Sequence, residues 1–244
     1  MPSRTLPLIV SLSALMVTIS VGLVRQPLGQ ERPLGLADLT LINVNATEAP
    51  FRGKPAIKLE LTDAVQKSLF AQQALDNVVA LALLPGEFGD GTLEVELAGE
   101  LSGRGRPDAR AFVGLAFHAL ADGSSYEAVY LRMTNGRLAV PTPPVPRIDR
   151  AIQYVAHPEF HFAVSRDKFP EVYERGANIG PGLWTRLRLV IDGSRLEAYV
   201  GDEREPALRV ADLKRAGRRG RVGLLIDDGT SGYFTNLSIR PRGL

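Results

Sequence analysis

Cysteine is absent from all 244 residues. That removes disulfides and thiolate metal sites together and leaves packing to hold the fold. An excess of one charge is missing as well. With 29 Lys and Arg against 27 Asp and Glu, the net charge of +2 is too balanced for a nucleic-acid footprint. Only three histidines are present. His157 and His161 have the spacing of a zinc-binding helix, but Pro158 stands between them and HPEFHF has no helical pattern, which argues against zinc. The Gly-x-Ser-x-Gly elbow, the phosphate-binding glycine loop and the dinucleotide fingerprint are all lacking. Helical periodicity is scarce: the one convincing stretch is Asp63 to Leu75, with Asp63 as a cap and Val65, Leu69 and Leu75 as an apolar stripe.

One long uncharged run does occur. Arg4 precedes Leu6 to Val24, and Arg25 closes it. A basic start, an apolar stretch and small residues at Ser20 and Gly22 suit a signal peptide cut after about Gly22. The competing reading is an uncleaved anchor, since the run approaches the ~20 residues that cross a bilayer, although Ser11, Ser13, Thr18 and Ser20 dilute it. Both readings place the rest of the chain outside the cytoplasm: periplasmic, extracellular or held on the envelope. The expected organisation is therefore residues 1–24 for export, 25–35 as a Pro- and Gly-containing linker, and 36–244 as one β-sandwich domain.

Beyond Leu36, short stretches rich in Val, Ile, Leu and aromatics recur between Gly, Asp, Asn and Pro, the spacing of an all-β sandwich or barrel. Strands are expected at Leu39 to Asn45, Ala56 to Leu61, Val78 to Leu84, Thr92 to Ala98, Phe112 to His118 and Tyr126 to Arg132. They continue at Ala151 to Val155, Thr185 to Asp192, Leu196 to Val200, Val222 to Ile226 and Tyr233 to Arg240. Period-two alternation assigns faces. Leu93, Val95 and Leu97 point one way, Glu94 and Glu96 the other; Leu187, Leu189 and Ile191 turn inward while Arg186 and Arg188 turn outward. Asp192-Gly193-Ser194 reads as a hairpin turn. Phe234 and Leu237 break strict alternation, so a bulge near Thr235 or Asn236 is expected if both are buried. The run KRAGRR at Lys214 reads as a solvated turn.

The closing segment carries a resemblance. WTRLRLVIDGSRLEAYV, then PALRVADLKRAGRRGRVGLLI, then GYFTNLSI resemble the last strands of the concanavalin A-like lectin and glucanase superfamily. Within it the likeness is to laminin-G-like domains and to the bacterial 3-keto-disaccharide hydrolase group; FGDGTLEVEL is similar to an earlier strand of those domains. The resemblance implies an antiparallel two-sheet jelly-roll sandwich with at most one or two short helices, its ligands met on the concave sheet or rim loops. It leaves activity open, because lectins, hydrolases and adhesive modules share the fold.

Candidate site residues follow from strand faces. In SYEAVYLRMTNGR, Tyr126, Tyr130 and Arg132 share a face, while Glu127 points the other way beside Val129 and Leu131. Tyrosine offers sugar C–H groups a flat apolar ring plus a hydroxyl, and arginine a rigid fork of donors, so this face suits polyol recognition. Gln153, Tyr154 and Trp184 extend it. Glu127 on an apolar face must be paired with a cation or the face is misassigned. As catalytic carboxylates the candidates are Glu94, Glu127 and Glu174; Glu94 with Glu96 resembles the paired acids of jelly-roll glucanases, although the third carboxylate of that pattern is out of step at Glu100. Asp227 and Asp228 are weak calcium candidates in what reads as a turn; no cofactor is otherwise expected. The proline-rich PTPPVPRIDR reads as a stiff loop that walls a groove or guards a sheet edge.

Three functions remain open: a noncatalytic carbohydrate-binding or adhesive module, a glycoside or 3-keto-disaccharide hydrolase, and a structural interaction domain of the envelope. The expected partner is a glycan or another envelope component, met by a monomer that touches membrane only through its N-terminal segment.

Overall fold

The computed structural model describes residues 35–72 and 78–243. The export run, nearly all of the linker and Leu75 lie outside them. The strands are β1 (Thr40–Ile42), β2 (Val44–Phe51), β3 (Lys54–Leu61), β4 (Leu81–Leu83), β5 (Gly91–Leu101), β6 (Phe112–Ala119) and β7 (Tyr126–Arg132). After them come β8 (Ile152–His157), β9 (Glu174–Arg175), β10 (Thr185–Asp192), β11 (Arg195–Val200), β12 (Leu208–Val210), β13 (Arg221–Ile226) and β14 (Thr230–Pro241). Two helices are present among the described residues, α1 (Asp63–Gln72) and α2 (Phe162–Lys168).

The strands form two seven-stranded sheets, β1-β4-β13-β6-β7-β8-β9 and β12-β11-β10-β5-β14-β3-β2. Alternation decides what lies between them. Leu93, Val95, Leu97, Leu187, Leu189 and Ile191 of the second sheet meet Leu115, Phe117, Val129, Leu131, Leu224 and Ile226 of the first in one buried cluster. Each leucine taken fully out of water there contributes about 1.5–3 kcal/mol. A charge at Val95, which is wholly buried, would break that layer.

Local departures from the expected elements have physical causes. The stretch Leu39 to Asn45 is not one strand: the backbone turns left-handed at Asn43 (φ 60°), its side-chain amide donates to the Val79 carbonyl at 2.8 Å, and the chain crosses from the first sheet to the second. The bulge in β14 is present. Pairing with β5 shifts between Thr235 and Ser238, Asn236 has φ 51°, and Phe234 and Leu237 are both buried. Helix α1 starts one residue earlier than a cap at Asp63 implies, because Thr62 Oγ1 accepts the Val65 N–H at 3.5 Å and takes the capping position. Asp63 instead pairs with Arg104. The hairpin of β10 and β11 turns through Gly193 and Ser194, with Gly193 at φ 61°.

The basic run is not simply solvated. Lys214 Nζ sits against the rings of Phe160, Tyr173 and Phe169, at 4.5, 4.9 and 5.5 Å from their centroids, and pairs with Asp212 at 2.6 Å. Arg215 turns toward Glu159 and the His157 carbonyl, leaving Arg218 and Arg219 exposed. A flanking aromatic cluster, which no local spacing announces, draws Lys214 inward, and Glu159 with the His157 carbonyl holds Arg215.

Candidate functional site

Strand β7 is buried along its whole length. Its inward face carries Glu127, Val129 and Leu131; its outward face carries Tyr126, Ala128, Tyr130 and Arg132. The register places Gln153 of β8 opposite Tyr130 and Val155 opposite Ala128, while Phe112 of β6 lies opposite Arg132. Gly114 faces Tyr130 across the ladder, and a Cβ there would come within 2.7 Å of the tyrosine Cβ, so glycine gives that ring its place. A layer of loops and α2 then stands over this face. It encloses a cavity of about 310 Å³ whose floor is Tyr126, Tyr130, Arg132 and Val155. Its walls come from the segment before β6, the β13–β14 turn, the proline-rich loop through Arg147 and Arg150, and His161, Phe162 and Arg166 at α2.

The floor is held by a polar network. Gln153 Oε1 accepts from the Tyr130 hydroxyl at 3.2 Å and from Arg132, and Gln153 Nε2 reaches Ser165 Oγ at 3.3 Å. The Arg132 guanidinium also donates to the Arg150 carbonyl at 3.1 Å and lies 5.1 and 5.5 Å from the ring centroids of Tyr130 and Phe112. Beneath it Glu174 takes a bidentate pair from Arg166, both contacts at 2.7 Å, with Arg150 at 3.3 Å and Arg132 at 3.6 Å. Burial lowers the Arg132 pKa, which the nearby Glu174 opposes. Arg132 is thus the keystone of the floor rather than a free fork. The Tyr126 hydroxyl makes no hydrogen bond among the described residues. Its ring stacks on His157 at 4.9 Å, and burial, then the Asp227 carboxylate, raises its pKa. His157 Nδ1 and His161 Nε2 are 3.1 Å apart; burial and then His157 push His161 down to about 4, so it is uncharged at neutral pH.

Several expected residues stand elsewhere. Tyr154 points into the core with no exposure, because it alternates with Gln153 along β8. There its hydroxyl donates to Glu127 at 2.5 Å, and Glu127 also meets His118 Nδ1 at 2.7 Å and accepts the Arg215 N–H at 3.1 Å. The costly inward carboxylate is therefore matched by His118 and two further donors. Trp184 belongs to the outer face of the other sheet, where its ring meets Phe51 and its indole N–H donates to the Phe51 carbonyl at 3.2 Å. Glu94 lies on that same face, near Arg240 at 3.7 Å and Arg186 at 3.8 Å. The three candidate catalytic carboxylates thus occupy three separate places: the second sheet's outer face, the core, and the support below the cavity. Asp228 is engaged by donors of the protein itself. Its oxygens accept from Gln66 at 2.7 Å and from the Arg106 side chain at 2.8 Å. Asp227 accepts the Asp228 N–H at 2.7 Å in the turn.

A second depression, about 950 Å³, lies on the second sheet around the β14 bulge, beside Glu94, Glu96, Arg186 and Asn236. It is larger but chemically poorer. Its one aromatic lining residue, Phe234, is wholly buried, and Glu96 is already paired with Lys54 at 2.7 Å. The cavity over β7 combines rings, fixed polar groups and cations, and it is the better ligand site. Sequence reasoning found its floor but missed Arg106, Arg110, Arg147, Arg150 and Phe162, which come from separate loops and α2.

No family model matches the chain, and no curated protein matches its sequence. Solved structures match in fold. The carbohydrate binding module CBM66 from Bacillus subtilis is similar with TM-score 0.52 at 13% identity, over 82% of this chain and 93% of that one. A Bacillus subtilis protein of unknown function with a galectin-like fold follows at 0.49 and 12%, over 83% and 89%. A proposed glycosyl hydrolase from Parabacteroides distasonis gives 0.44 and 9%, over 85% and 89%. At such identities the first likeness speaks for the fold alone: an antiparallel two-sheet jelly-roll sandwich.

Proposed function

We propose that this chain is an exported, noncatalytic glycan-binding domain of the cell envelope, and that the cavity over β7 is its site. The observation that carries the reading is the floor itself. Tyr126 and Tyr130 lie on one strand face with Ala128 between them, and Arg132 and Gln153 lock the second ring in place. Two aromatic rings with a spare hydroxyl suit the C–H faces and hydroxyls of a sugar. A volume near 310 Å³ stands at the small end of ligand pockets, about 300–1,000 Å³. That favours a chain end or a single unit over a long stretch of polymer. Glycoside hydrolysis needs two carboxyl groups flanking one bond, and Glu94, Glu127 and Glu174 do not share a cleft. A purely structural role would leave the walled cavity without purpose. The fold likeness to a carbohydrate binding module is in keeping with this reading.

The test is glycan-array binding followed by titration calorimetry with wild type, Phe162→Ala and Tyr126→Ala, alongside assay of the sugar for cleavage products. The proposal expects retained ligand, no products, and weaker binding in both variants. Accumulating products, or binding untouched by both substitutions, would overturn it.

A further inference from the structure

The cavity lining is unevenly charged. Six arginines, Arg106, Arg110, Arg132, Arg147, Arg150 and Arg166, face Asp108, Asp227 and Asp228. Glu174 beneath them is a fourth carboxylate, so two cations stand in excess. The ion pairs show which of these cations are held. Arg132, Arg150 and Arg166 gather on Glu174, and Arg106 pairs with Asp228. Arg110 and Arg147 enter no ion pair among the described residues. Arg110 donates only to the Ala109 carbonyl at 3.1 Å, and Arg147 only to Asn135 Oδ1 at 3.2 Å, both neutral acceptors.

Their surroundings make that arrangement costly without a guest. Burial, then the charge of Arg147, lowers the Arg110 pKa, which the Asp108 carboxylate opposes only in part. Both arginines line the same cavity. Like charges in a concave, partly desolvated site repel each other and concentrate field on whatever anion enters. The histidine at the wall, uncharged at neutral pH, adds neither a further cation nor a counter-charge. On the second sheet, by contrast, Lys54, Lys58 and Arg186 each have a carboxylate within 4 Å.

We infer that the cavity takes an acidic sugar unit, whose carboxylate or sulfate lies between Arg110 and Arg147 while its ring rests on the tyrosine floor. This rests on the glycan-binding reading above and adds to it the charge of the ligand. Guanidinium forks match both anions bidentately, so carboxylate and sulfate are the shared chemistry, and experiment distinguishes them.

Calorimetry on the full folded chain would compare galacturonate oligomers, sulfated dextran oligomers, neutral dextran oligomers and inorganic sulfate. The expected result is binding of one acidic oligomer in preference to the neutral one. It should weaken about tenfold in Arg110→Gln and in Arg147→Gln, and less in Arg147→Lys, which keeps the charge without the fork. The exposed Arg219→Gln should bind as wild type. Raised salt should weaken the acidic ligand selectively. Thermal melting of each variant identifies any that fails to fold, and the salt dependence of wild type needs no variant. Neutral oligomers binding as well as acidic ones, with both arginine variants unaffected, would overturn the acidic ligand and leave the glycan reading standing. Inorganic sulfate binding as tightly as any oligomer would keep an anion site and remove the sugar. Binding of none of the four would remove both.

Discussion

The outer faces of the two sheets solve the same problem differently. On the second sheet, charged side chains alternate outward, stay in contact with water and pair within and across strands: Lys58 with Glu60 along β3 at 3.0 Å, Lys54 with Glu96 at 2.7 Å and Arg186 with Glu94 at 3.8 Å between strands. On the first sheet, Tyr126, Ala128, Tyr130, Arg132 and Gln153 also point away from the core yet are all buried, because loops and α2 cover them. The first arrangement is an ordinary solvated surface, whose pairs contribute little individually. The second is a second interior, roofed, polar at its floor and cationic at its mouth. In that interior Arg110 and Arg147 enter no ion pair among the described residues, which is where the proposal puts the ligand's anionic group.

The largest test of this contrast removes the polar cluster beneath β7. Glu127→Ala leaves His118 and Tyr154 in the core without their acceptor and should cost about 3–5 kcal/mol in chemical denaturation. Next comes Glu174→Gln, which takes the counter-charge from Arg166, Arg150 and Arg132. It should destabilise by about 2 kcal/mol, and the surviving folded protein should bind an acidic sugar more tightly. If affinity falls instead, Glu174 shapes the cavity rather than tempering its charge.

A smaller effect appears in acid. His161 has a folded pKa pushed from the ordinary 6.5 to about 4, so below 6.5 the unfolded chain takes a proton that the folded one refuses. Stability should therefore drop as pH falls from 6.5 to 4, and His161→Gln should flatten that part of a melting-temperature profile. His157, Glu159 and Arg215 surround the pair and are unchanged in the variant. The smallest effect belongs to the solvated face. Glu96→Gln should change stability by under about 1 kcal/mol and leave ligand binding alone; a loss of binding there would move the site to the second sheet.

Much of this contrast could be read from residue order, and part could not. Alternation put Leu93, Val95, Leu97, Leu187 and Leu189 in the core, set Tyr126, Tyr130 and Arg132 on one face, and marked Glu127 as needing a partner. The break at Phe234 and Leu237 announced the bulge because its side chains had to reach one core from mismatched positions. Period two names a face but not what covers it, so the roof over β7 and the inward turn of Lys214 left no local trace. The arginine cluster joins residues between 106 and 166 from loops, a strand and a short helix, and no spacing rule connects them. Strand β9 has only two residues and the seven-residue α2 is shorter than a periodic pattern needs. Chain proximity to Gln153 and an aromatic side chain are what suggest Tyr154 and Trp184 for the site; alternation turns the first into the core, and the second stands on the other sheet.

The most direct measurement is a crystal structure of the chain with a bound acidic oligosaccharide. The account predicts a sugar ring against Tyr126 and Tyr130 with its anionic group between Arg110 and Arg147. A sugar seated instead at the β14 bulge, beside Glu94 and Asn236, with the cavity over β7 unchanged, would contradict it.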